Sequence, residues 1–427
     1  MKVVNLNDLK PKDLNRLLKR ASDNYQLVYP VVKKIISDVK SRGDKAILDY
    51  EKQFGAQIKS LKVTENEIEK AFANTDPKLI TALKQSIKNI TAVAKSQLKS
   101  NEKPVQTEKG IAVWREWRPI EKVGLYIPGG RAVYPSSLLM TAIPAQIAGC
   151  PEIVVVTPPN SDGEINQPIL VAAKLLGIKN IFKTGGAQAI GALAFGTTTI
   201  SKVYKIFGAG NLYVTAAKQL VFGEVNIDMP AGPSEVFVIA DQTANPKFIA
   251  ADLIADCEHG EDSAGVLITT SKKIAEETAK EIETQLKSIP TSERVRKSLK
   301  KNGLIAVTKS IDEAIDFTNE YAPEHLEIMT KNPKSVAAKI INAGSVFLGD
   351  YTCKGSGDYA TGANHVLPTG QNAKSFSALS VDSFGKMIEI QEVTKEGLTE
   401  IRETIEKFSA VEGLPGHGYS ATIRFEE

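Results

Sequence analysis

Apolar and polar positions alternate along the chain in two different periods. Up to about residue 120 the spacing is mainly helical: Pro11 opens a Lys/Arg/Leu-rich helix, and TDPKLITALKQSIKNITAVAKSQ carries apolar residues on one helical face. From Lys122 to about Leu220 short apolar strands (KVGLYI, EIVVVT, NIFKT, KVYKIF) alternate with helical patterns. A second alternation follows, with strands at EVFVIA, AGVLIT, LIAVT, HLEIM and GSVFLG and helices such as NPKFIAADLIADCEHG between them. After about Gln371 come a strand (KMIEIQEV), a helix (LTEIRETIEKFS) and a loop leading to YSATIRF. Alternating strand and helix predicts an α/β protein with two doubly wound, Rossmann-like parallel-sheet domains and small N- and C-terminal appendages.

Composition narrows the function. The 427 residues are 42% hydrophobic, enough for two cores, and Lys+Arg exceed Asp+Glu by only 53 to 50. No basic block is interleaved with aromatics, so neither nucleic acid nor a membrane surface is expected as a partner, and a small molecule is. The start MKVVNLNDLK has no apolar targeting core, and no later run is long enough to span a bilayer, so the expected location is cytoplasmic. Cys150, Cys257 and Cys353 are odd in number and widely spaced, which suits a reducing compartment and buried thiols rather than disulfides.

Three strands of the first core end in glycine-bearing turns: Ile127-Pro128-Gly129-Gly130, Thr184-Gly185-Gly186 and Phe207-Gly208-Ala209-Gly210-Asn211. Glycine lets backbone N–H groups approach a phosphate, and the helix N-terminus behind it favours the negative charge. No complete G-x-G-x-x-G is present, and such turns also use glycine for geometry alone.

The four histidines sit in more telling surroundings: His259 in DCEHGEDS, His325 in APEHLEI, His365 in GDYATGANH and His417 in EGLPGH. Asn245 as N-cap, Pro246 at the first position and Gly260 as a stop predict a helix on which Asp256 and His259 share a face, with Cys257 pointing away. That pair suits half of a zinc site or a helix-terminal salt bridge. In APEHLEI, Pro323 favours a turn that brings Glu324 and His325 together, and an imidazole with pKa of about 6.5 suits a general base; an exposed loop pair fits the same letters. Asp358, Glu412 and His417 are expected at the tips of tight loops, where a ligand can reach them or where they merely make turns.

Taken in order, LYIPGG, PSSLLMTAIPAQIAG, TGGAQAI, IFGAGN, DMPAGPSEV, DCEHG, YAPEHLE, NAGSVFLG, GDYATGANHVLPT and EGLPGH resemble the histidinol dehydrogenase family over roughly residues 30 to 420. The resemblance implies oxidation of L-histidinol to L-histidine through an aldehyde, with two NAD and one zinc per subunit. It implies NAD binding by Tyr126, Gln188 and Asn211, and zinc held by Asp256, His259, Asp358 and His417. Substrate would meet Ser234, His325, Asp358, Glu412 and the other metal ligands. Glu324 and His325 match the acid–base pair: His325 would deprotonate the alcohol and Glu324 would help activate water. His365 would be a supporting neighbour. A homodimer with shared sites is implied, Glu412 and His417 serving the adjacent subunit. The expected division is 1–25 as an N-terminal arm, 26–120 plus 235–376 as the domain bearing metal and acid–base residues, 121–234 as the NAD domain, and 377–427 as a dimerisation tail.

Two positions depart from the family pattern. Asp256 stands where glutamine is usual, which predicts a retained site with altered metal preference or weaker Lewis acidity, and Ala209 stands where proline is common, which predicts a looser turn and slightly weaker NAD binding. A same-family dehydrogenase of another small hydroxy compound is the alternative, since fold does not fix substrate. A zinc hydrolase is less suited, lacking an H-E-x-x-H helix and leaving the glycine turns unused.

Overall fold

The computed structural model describes residues 1–20, 25–129, 133–230 and 232–426; Gly130, named above with the first glycine turn, lies outside them. By packing, the chain divides into one unit of Met1–Gln97 with Ile120–Phe384 and another of Leu98–Pro119 with Gly385–Glu427.

The larger unit carries two sheets whose described strands all run parallel. One has the spatial order Val3–Asn5, Leu304–Val307, Ala264–Thr269, Glu235–Ala240, His325–Met329, Ser345–Leu348. Its central strands Glu235–Ala240 and Ala264–Thr269 are buried at every position. Helices cover both faces of such a sheet, and the strands therefore read as apolar runs rather than as alternation. The other sheet has the order Ile181–Lys183, Glu152–Thr157, Lys122–Tyr126, Lys205–Phe207, Asn226–Ile227. In each sheet the chain first steps one way and then returns to build the other side. The reversal falls between Lys122–Tyr126 and Lys205–Phe207 in one, and between Glu235–Ala240 and His325–Met329 in the other.

The early helices follow their local signals. Thr64 and Glu67 form a reciprocal capping box that starts Glu65–Ala73, and Asp76 accepts the Lys78 N–H at 2.9 Å to start Pro77–Ser96 with Pro77 at its head. The helical reading fails at both ends of this region. Val3–Asn5 is an edge strand of the six-stranded sheet, and Val105–Glu108 and Ile111–Pro119 are antiparallel strands.

Those last two strands belong to the smaller unit, where Ile111–Pro119 also pairs antiparallel with Gly385–Val393. Lys395–Val411 follows as a helix. The segment up to YSATIRF is a second helix, Pro415–Thr422, and a final 3-10 turn, not the expected loop, because Pro415 at the first position sets φ for a helix start. The larger unit's described helices include none long and apolar enough to cross a membrane, and the same holds for the smaller unit.

Candidate functional site

At the reversal in the five-stranded sheet, the strand ends place Tyr126 and the turn before Asn211 where α/β sheets commonly hold ligands. Gln188 comes from the helix Gly186–Phe195, whose start binds the Tyr126 hydroxyl. Tyr126 ends its strand, is buried, and its hydroxyl accepts the Gly186 N–H at 3.2 Å; burial first, and Glu51 as well, push the phenol up to about 12 despite that bond. Gln188 donates to Glu51 Oε1 at 2.9 Å, the same oxygen that accepts from Thr184 Oγ1 and Gly185 N, and its own Oε1 is buried without a partner. Gly208 has φ of 113°, and a Cβ there would lie 2.1 Å from the Tyr126 carbonyl oxygen. Glycine is thus required at this turn by geometry. The buried pair Lys218 and Asp228 grips the same turn, Asp228 accepting the Gly208 N–H at 2.7 Å and Lys218 donating to the Gly208 carbonyl at 2.9 Å. Asn211 is exposed and caps Leu212–Val221 by accepting from Tyr213 N and Val214 N.

The acidic and histidine residues gather at the opposite kind of edge. His325 is the first residue of its strand and Glu235 the first of the neighbouring one, so both lie at the amino edge of the six-stranded sheet. His325 Nδ1 lies 3.0 Å from the Glu235 carbonyl oxygen, which can only accept; Nδ1 therefore carries the proton and Nε2 the lone pair of the neutral ring. Nε2 is buried with no hydrogen-bond partner, 4.0 Å from Asp358 Oδ1. Glu324 Oε2 accepts the Glu235 N–H at 2.8 Å and stands 3.4 Å from His325 Nδ1. The irregular backbone that lets both neighbours face one place comes at Ala322, whose φ of 51° precedes Pro323. Burial, the largest effect, lowers the basicity of His325 and Lys354 adds to that, but the charge and hydrogen bond of Glu324 together with the charge of Asp256 outweigh them, and the ring ends above its ordinary range.

Asp256 completes this group. It is fully buried in the last turn of Pro246–Cys257, and neither carboxylate oxygen has a hydrogen bond. Ligand atoms of Asp256, Glu324 and His325 lie within 4.8 Å of one another, a set able to hold a metal ion. Lys354, passed over in the sequence, reaches the same place: Nζ is 3.2 Å from Asp256 Oδ1 and donates to both oxygens of Asp358 at 2.9 and 2.7 Å. Burial works against its charge, but Asp256, then Asp358 and Glu324, hold its pKa above the ordinary lysine value. Asp256, Glu324 and Asp358 face one ammonium here, with Asp252 and Glu327 close behind, so acidic side chains outnumber it, and a helix C-terminus adds its own negative end. That balance, with the orphaned oxygens and imidazole nitrogen, fits a divalent cation.

Asp358 is not at a loop tip. Residues Lys354–Tyr359 form a short helix, and Gly357 packs so tightly on Phe347 that a Cβ would come within 2.5 Å of the ring; Asp358 is thereby buried. His365 sits beside it, Nδ1 on the Asp358 carbonyl at 3.1 Å and Nε2 near Ser137 Oγ at 3.3 Å, and burial lowers its pKa to about 4.

The remaining expected residues are placed elsewhere. The helix predicted to Gly260 stops at Cys257, where the chain tightens into a turn with His259 N–H on the Asp256 carbonyl. Asp256 is therefore buried while His259 is exposed, and no shared helical face joins them. Ser234 is half-buried just before the strand that begins at Glu235. In the smaller unit, Glu412 is exposed in the tight turn that ends Lys395–Val411, as expected, whereas His417 is exposed within the helix Pro415–Thr422 rather than in that loop. Cys150 and Cys257 are buried, with thiols pushed up by burial to about 11 and 12, whereas Cys353 is exposed, contrary to expectation. It stands at the start of the short helix that carries Lys354, without a side-chain capping bond.

Sequence reading also missed Arg20 and Glu235. Arg20 Nε lies 2.6 Å from Glu235 Oε1, both side chains nearly inaccessible, and its guanidinium stacks 3.8 Å from the Tyr321 ring centre. A cavity of about 410 Å³ lined by Arg16, Arg20, Tyr25, Glu235 and Lys301 among others holds none of the predicted site residues. Glu324 and His325 are anchored along the Glu235 main chain instead.

The sequence profile of the histidinol dehydrogenase family matches residues 18–425. The histidinol dehydrogenase of Bacteroides thetaiotaomicron is 49% identical over 410 residues, covering 96% of this chain and 95% of its own. That of Methanocaldococcus jannaschii is 44% identical over 427 residues, covering 100% and 99%. The crystal structure of histidinol dehydrogenase from Elizabethkingia anophelis superposes with a TM-score of 0.94 at 44% identity, over 99% of this chain and 98% of the other.

Proposed function

As the chain belongs to the histidinol dehydrogenase family and is an oxidoreductase of that kind, we propose that it oxidises L-histidinol to L-histidine through L-histidinaldehyde, with two NAD consumed in turn. The observation that carries the mechanism is the buried, unpartnered Nε2 of His325 beside Asp256 and Asp358.

Asp256, His259 and Asp358, with His417 of an adjacent subunit, would hold zinc, and Tyr126, Gln188 and Asn211 would line the NAD site; bound zinc supplies positive charge that positions substrate nitrogens, and bound NAD accepts hydride in each oxidation. His325 takes the hydroxyl proton at Nε2. Its Nδ1–H stays on the Glu235 carbonyl, so the ring cannot rotate away, and Glu324 at 3.4 Å and Asp358 at 4.0 Å favour the imidazolium that results. Glu324 keeps one oxygen on the Glu235 N–H and turns the other to water, which adds to the aldehyde before the second oxidation. Ser234 and Glu412 would contact substrate, Glu412 across the dimer, and His365 supports Asp358 through its carbonyl. The 377–427 tail is the dimerisation element in this reading. Phe408, Val411, Leu414 and Tyr419 are large apolar side chains left exposed on it, as an interface requires. The location would be cytoplasmic.

The test is an assay of purified protein with L-histidinol and NAD, following NADH. Two NADH per histidinol are expected. Turnover of a different alcohol with none of histidinol would instead favour the same-family dehydrogenase of another hydroxy compound.

A further inference from the structure

Lys354 opens the short helix Lys354–Tyr359, and its side chain is 3% exposed. Its backbone N–H is fixed on Asp252 Oδ1 at 3.1 Å, while the ammonium donates twice to Asp358 and stands 3.2 Å from Asp256. The contact with Asp256 is one of charge alone. Neither Asp256 oxygen accepts a hydrogen bond, so its lone pairs remain available although the residue is wholly buried. An ammonium survives at this depth only because carboxylates surround it. A divalent ion drawn to the same oxygens would meet a like charge a few ångströms away, in surroundings that screen poorly.

We propose that Lys354 is a resident cation that competes with the metal: it neutralises Asp256 and Asp358 when no ion is bound, and must withdraw from them for a divalent ion to bind both. This rests on the reading that Asp256 and Asp358 are metal ligands. The flexible four-carbon stem permits such a movement while the helix backbone stays on Asp252. The lysine thus guards the empty site against two facing carboxylates at the cost of weaker metal affinity. Loss of metal would then leave the fold intact.

The experiment titrates Co²⁺ into metal-stripped, full-length protein, reading heat and visible absorption, for wild type and Lys354→Met. The methionine keeps length and removes charge. It should raise Co²⁺ affinity at least about tenfold and enlarge the rise in Tm on adding Co²⁺. Equal or weaker affinity in Lys354→Met overturns the proposal. Should that variant not fold without metal, the comparison is made between Asp256→Asn and Asp256→Asn/Lys354→Met, where fewer charges face one another. Tighter binding by the double variant supports competition, and equal binding overturns it. Absence of Co²⁺ binding by both wild type and variants overturns the metal reading itself, and this inference with it.

Discussion

Glu235 acts through three groups. Its carbonyl fixes His325, its N–H fixes Glu324, and its carboxylate is held by Arg20 and by the Gly370 N–H at 2.9 Å. Burial raises its pKa from 4.5 to about 7, Arg20 resisting and Glu324 adding to the rise. A group that binds its proton more tightly when folded stabilises the fold most in acid, and that contribution fades as pH climbs from 4.5 through 7. Chemical denaturation of metal-free protein between pH 5 and 8 should therefore show stability falling with pH, and Glu235→Gln should flatten the slope. Parallel curves would mean that Glu235 titrates as in the unfolded chain. At this scale the sequence disclosed acid–base residue types but not their partners. Arg20 meets Glu235 only because the fold closes a long stretch of chain, whereas Lys354, four residues before Asp358, had a readable helical spacing hidden among small residues. At His259 only the local structure differs, since the helix ends at Cys257 and leaves the residue exposed beyond its last turn.

Helices and buried strands were legible because their caps and apolar runs are local: Asn245 does accept from Lys247 N, and the runs EVFVIA and AGVLIT are strands. The antiparallel strands Val105–Glu108 and Ile111–Pro119 were not. The first is exposed throughout and the second has half-exposed tryptophans between charges, so neither shows a clear period. Of the glycine turns, Gly208 is the one where a Cβ would meet main chain most closely, at a positive φ. Gly208→Ala would force a Cβ against the Tyr126 carbonyl at φ of 113°, and should cost on the order of 1–3 kcal/mol, read by urea denaturation. Because Tyr126 ends the strand at the reversal, the KM for NAD should rise more than that for histidinol. Equal rises would separate this turn from NAD binding.

For the whole molecule, the shared-site reading makes a quantitative demand. His325→Ala and His417→Ala homodimers should each lose roughly 10²–10⁴ in kcat. Mixed and re-associated, they should regain activity, since one site of each heterodimer then holds both histidines. Failure to recover, with size-exclusion profiles showing mixed dimers, would confine each site to one chain. Sequence could suggest this only by resemblance, because in this reading exposed His417 and Glu412 would act only beside a second copy. The six-stranded sheet gathers its buried acid and imidazole groups on the amino rim, where Glu235 and His325 begin their strands. On its carboxyl rim the turn after Leu304–Val307, with exposed Lys309 and Ser310, is consequently free to vary: it can lengthen or accept an inserted peptide far from those groups, unlike the turn after Ser345–Leu348, which leads directly into Lys354 and Asp358.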